Sequence, residues 1–146
     1  MKLMLLLVST LTVATGAAQA GAPTDAVIPF YETIGLEREA SARERFVDPA
    51  KAVLDANDAL QETDPAGCLD VALSVDGQDY DEAEITKTLK YAEKIEGDNA
   101  VVFASFKLFS EPRKIEWKLK RVAGEWKISD IASLTNEWAL SGFNCE

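Results

Sequence analysis

Apolar residues at Val27, Phe30, Tyr31 and Ile34 recur at the spacing of one helical face. Pro29 suits a first helical turn and Gly35 a stop, so this stretch predicts a helix. Ser41-Ala-Arg-Glu44 has the form of a capping box opening a short helix. Asp48-Pro49 then pairs an N-cap residue with proline at the first helical position. The helix it predicts buries Val53, Leu54 and Leu60 and stops before the turn-rich TDPAG at Thr63–Gly67.

After Glu84 the period shortens from helical to alternating. Leu89, Tyr91 and Ile95 mark one strand, and Gly97-Asp98-Asn99 is a turn. Val101–Phe109 is apolar on both faces, as in a central strand. Glu111-Pro112 turns the chain into IEWKLK, where Ile115, Trp117 and Leu119 alternate strictly with charge. Ala123-Gly124 turns it again into EWKISDI, with Trp126 and Ile128 on the apolar side. Leu134–Leu140 reads as one short helix carrying Trp138. Helices first and a four-stranded meander second predict an α+β domain, its helices packed on one face of a curved antiparallel sheet.

Composition then assigns a compartment. Lys2, the apolar run from Leu3 and Ala18-Gln19-Ala20 have the three parts of an export signal cleaved after Ala20. Gly21 stands where a lipid-bearing cysteine would be, so no membrane anchor is expected after cleavage and the mature domain is 21–146. Without Lys2, 14 basic against 25 acidic residues give a net charge of −11. That balance disfavours nucleic-acid and anionic-membrane partners, which need basic patches. Export makes a disulfide between the two cysteines, Cys68 and Cys145, the expected state and a periplasmic or secreted location the expected one.

The densest acidic stretch is Val75–Glu84, VDGQDYDEAE. Phe30-Tyr31, the pair Gln78-Asp79 with Asp81, and WKISDI at Trp126–Ile131 follow one another in the order seen in a group of exported proteins. The chain resembles those uncharacterised periplasmic proteins and lipoproteins, a domain of unknown function, from Val27 to Ile131. The resemblance implies a cystatin-like cone of the nuclear-transport-factor superfamily, whose mouth often holds a small ligand. Absence of the lipid-bearing cysteine and the C-terminal extension with Cys145 depart from that pattern.

The chemistry open to these residues is limited. The chain contains no histidine, which removes the commonest general base, the Ser-His and Cys-His pairs and histidine metal sites. A catalytic reading rests on Asp79 as a buried base with Tyr31 or Tyr80 as donor. A helix-loop-helix calcium motif fails, because aligning Gly77 puts Ala72 and Ala83 at the first and last ligand positions. An irregular ion site would use Asp76, Asp79 and Asp81. A structural reading makes Asp76-Gly77 a turn, sets Gln78 and Asp79 to bonding loop backbone, and lets Asp81 cap a helix. Phe103, Phe106, Trp117 and Trp126 either line a cavity or fill the core, and Trp138 either packs on the sheet or makes an exposed contact.

Three functions fit. The first is a non-enzymatic periplasmic protein binding a small ligand or an envelope protein, with Gln78, Asp79, Asp81, Tyr31, Trp117 and Trp126 at its binding or loop site. The second is an acidic inhibitor or immunity protein that masks a cationic toxin or wall-degrading enzyme. The third is a carboxylate-dependent isomerase or hydrolase. No metal or cofactor is expected for any of them.

Overall fold

The computed structural model describes residues 21–146. The export signal expected at 1–20 lies outside the described residues. The alternating half of the chain folds into an antiparallel sheet ordered β1-β2-β3-β4-β5. Its strands are β1 (Lys90–Glu96), β2 (Asn99–Leu108), β3 (Glu111–Val122), β4 (Glu125–Ser133) and β5 (Trp138–Ala139). Pairing brings Val102 opposite Trp117 and Trp117 opposite Ile131, and the register shifts between Lys118 and Leu119. Such a bulge bends the strand, curving the sheet over its apolar face.

That face carries Val102, Ala104, Phe106, Ile115, Trp117, Leu119, Ile128 and Ile131, all buried. Against it pack α1 (Pro23–Val27), α2 (Pro29–Glu32), α3 (Ala50–Gln61) and α4 (Glu82–Thr88). Phe30 stacks on Trp117 at 5.0 Å between ring centres, and Trp117 Nε1 donates to the Tyr31 hydroxyl at 3.2 Å. Gly35, at φ +89°, ends this aromatic segment in a conformation that costs glycine little.

Four local expectations are corrected. Residues Ala40–Arg45 form a 3-10 turn flanked by Glu39, with no side-chain cap, so Ser41 and Glu44 do not make a capping box. Helix α3 begins at Ala50 and lacks a side-chain cap, so Asp48 is not its N-cap. Its buried face is Ala50, Leu54 and Asn57, whereas Val53 and Leu60 are half-buried on its flanks. The tail predicted as a helix is instead β5 and a 3-10 turn, Leu140–Gly142. Ser133 pairs with Trp138 across the β4–β5 turn, which adds a fifth, edge strand to the expected four.

Candidate functional site

Between α3 and α4 the chain runs without a regular element, and buried polar side chains hold it in place. Glu37, 0 % exposed, accepts from the backbone N–H of Leu73 at 2.7 Å and of Ser74 at 3.3 Å. Burial raises the Glu37 pKa, although these N–H donors act the other way. Asn57, on the inward face of α3, accepts from the N–H groups of Cys68 (3.0 Å) and Leu69 (3.1 Å). Cys68 is disulfide-bonded to Cys145, joining loop and C-terminus across 77 positions. Glu37 and Asn57 satisfy backbone groups that would otherwise be buried unpaired, and the disulfide adds a covalent tie.

The acidic run supplies the fourth anchor. Asp76, at φ +56°, accepts from Ser133 Oγ (2.6 Å), Asn136 Nδ2 (2.5 Å) and Trp138 Nε1 (2.7 Å). One carboxylate therefore fastens the loop to the β4–β5 turn. Asp130 does the same for the tail, accepting from Ser141 Oγ at 2.6 Å and Ser141 N at 3.0 Å. Asp81 caps α4, accepting from Ala83 N (3.0 Å) and Glu84 N (3.1 Å).

The structure separates the residues singled out from the sequence. Gln78 lines an open polar groove of about 550 Å³ with Gly35, Arg38, Glu39, Gln61, Asp70 and Ala72. Asp79 and Tyr80 are exposed beside it. No hydrogen bond from the side chain of Gln78 or Asp79 is found among the described residues, so those two do not hold the loop backbone. Tyr31 and Trp117 belong to the core, and burial pushes the Tyr31 hydroxyl pKa well up. Asp79 and Tyr31 are thus not brought together. Trp126 is 8 % exposed beneath the Arg121 guanidinium, 4.5 Å from its ring centre, while Phe103 lies under Lys114. With Asp76 engaged by the β4–β5 turn and Asp81 by α4, the irregular calcium site with Asp79 is not assembled.

Charge is also divided. Residues 21–89 hold five basic and sixteen acidic side chains, and residues 90–146 nine of each, so the excess of acid lies in the helix-and-loop part. Arg43 neutralises some of it, contacting Asp55 at 3.2 Å and Asp58 at 2.6 Å. Glu39, Asp64, Asp70, Asp79 and Glu82 remain exposed around the anchored loop and its groove. A rigid acidic surface loses little conformational entropy on binding and attracts cationic partners at long range.

Sequence reasoning missed Glu37 and Asn57 as the loop's supports. Asn57 left a trace, standing on the stripe Ala50–Leu54–Asn57 where only apolar residues would be expected. Glu37, between Leu36 and Arg38, left none.

No family model matches the chain, and no curated protein matches it significantly. It is similar to a chain in the crystal structure of the type VI native effector–immunity complex Tae3–Tai3 from Ralstonia pickettii. That likeness has 26% identity and a TM-score of 0.54, and covers 77% of this chain and 95% of that one. A selenomethionine form of the complex matches at 24% identity and a TM-score of 0.56, covering 77% and 97%. The α+β fold of this chain is therefore one found in a type VI effector–immunity complex.

Proposed function

We propose that this protein is a non-enzymatic immunity protein that binds an effector protein through its acidic helix-and-loop side. The carrying observation is its likeness, over nearly the whole length of the matched chain, to a component of an effector–immunity complex. The chemistry of the chain favours the immunity role over the effector role. It contains no histidine, and both of its cysteines are in one disulfide, so it lacks the usual nucleophile–base pairs. Its excess of acid complements a cationic toxin or wall-degrading enzyme, and the anchored loop with Asp70, Gln78 and Asp79 presents it ready for contact. Work outside the cytoplasm accords with the disulfide and with the export signal expected at 1–20. The small-ligand reading, tied to a cystatin-like cone, has less support, because Tyr31, Phe106 and Trp117 pack against one another inside the sheet.

The test is co-expression in the periplasm with a basic type VI effector from the same cell. Survival with this protein and death without it is the expected result. Equal killing in both cases, with the protein folded and present, rejects the proposal.

A further inference from the structure

Where the acidic helix-and-loop part meets the neutral sheet, one groove departs from its surroundings. About 400 Å³ in volume, it lies where α4 meets β1 and β2, and Lys87, Lys90 and Lys107 line it. Its remaining lining is Thr88, Ser105, Phe106 and Pro112, so no carboxylate lines it in a chain with an excess of acid. The fold forces the lysines together. Lys90 pairs with Ser105 across the sheet, two residues from Lys107, and Lys107 N donates to Thr88 Oγ1 at 2.9 Å. Lys114 stands opposite Ser105 from the other side, on β3. Of the other described lysines, Lys51, Lys94, Lys118 and Lys127 each contact a carboxylate, whereas Lys114 and Lys120 do not. Among the described residues, no ion pair involves Lys87, Lys90 or Lys107. The nearby Glu84 carboxylate is taken by Ser110 N at 2.8 Å.

Three like charges sharing one groove repel, and a bound anion would relieve that repulsion. Lys87, in the last turn of α4, is accounted for by the helix dipole, but Lys90 and Lys107 on the sheet are not. We infer that this groove binds a phosphate group. Three ammonium groups act as point charges, and a polyvalent phosphate carries more charge than a single carboxylate to set against them. Ser105, on the groove floor between Lys90 and Lys114, offers a neutral donor. The phosphate can belong to a soluble compound or to a phospholipid headgroup. The inference does not depend on the immunity reading, which uses carboxylates that do not line this groove.

Two probes test it on the mature protein at physiological salt. Pyrophosphate is titrated while amide NMR signals are followed, and co-sedimentation is measured with vesicles of phosphatidylglycerol or of phosphatidylcholine. Saturable shifts at Thr88, Ser105 and Lys107, weakened about tenfold by Lys90→Gln with Lys107→Gln, support the site and a soluble phosphate. Sedimentation with phosphatidylglycerol alone, lost in the same double variant, supports it with a lipid headgroup as source. Binding of neither probe overturns the inference. So does Lys94→Gln with Lys120→Gln weakening binding as much as the groove pair.

Discussion

Asp76→Ala tests how the acidic loop is held. The substitution removes three accepted hydrogen bonds, from Ser133, Asn136 and Trp138, and leaves alanine at φ +56°. Bonds to a carboxylate are worth about 1.5–3 kcal/mol when buried. This site is partly open to solvent, and about 1 kcal/mol each is the appropriate scale. Left-handed backbone adds about 1 kcal/mol for alanine. The loss is therefore roughly 3–4 kcal/mol, a large share of the ~5–15 kcal/mol typical of a domain. Urea unfolding followed by tryptophan fluorescence measures it, since Trp138 loses its partner. Hydrogen exchange gives a local readout, with Trp138 and Ala139 in β5 exchanging faster while β2 is little changed. Asp76→Gly should recover up to about 1 kcal/mol of the alanine loss, because glycine accepts the backbone angle. A loss below about 1 kcal/mol for Asp76→Ala, with β5 protection intact, refutes the reasoning.

Other consequences follow from the same anchors. Reduction, or Cys68→Ser with Cys145→Ser, should cost up to about 4 kcal/mol by loop entropy, read as a lowered denaturation midpoint; an unchanged midpoint would mean the crosslink constrains nothing. Asp81→Ala removes the cap of α4 and should lower stability by about 1 kcal/mol, while Asp79→Ala, at an exposed side chain with no hydrogen bond among the described residues, should lie within about 0.5 kcal/mol of the parent. Because burial raises the Glu37 pKa above 4.5, its proton favours the folded state. That contribution is fully present below the unfolded pKa and is lost as pH rises through the folded one. Glu37→Gln should accordingly flatten the decline of stability above about pH 4.5, and identical pH slopes in parent and variant would contradict it.

The sheet was legible because its signal is local. In Ile115-Glu-Trp-Lys-Leu119 each residue's face is set by its own parity, and the strands fall where alternation places them. The tail was misread because Leu134 and Trp138 are spaced as one helical face, while strand β5 exists only through its hairpin pairing with Ala132 and Ser133 of β4. Its turn also needs Glu137 at φ +55°, a backbone state that propensity does not foresee. Asp81 could be read as a cap because its partners are two and three residues away. The carboxylates of Asp76 and Glu37 meet groups 57 and 36 residues distant, so their roles come from tertiary placement alone. The local pair Gln78-Asp79 is therefore visible in the sequence, while the loop's supports at Glu37 and Asn57 are not.

The central claim is that the acidic loop side takes a cationic effector. The most direct measurement is calorimetric titration of a basic type VI effector into the mature protein and into Asp70→Lys with Asp79→Lys, at low and at physiological salt. A tight complex is expected for the parent, weakening as salt rises, with at least a tenfold loss for the charge-reversed variant at unchanged fold. Equal affinity of parent and variant at both salt concentrations would contradict it.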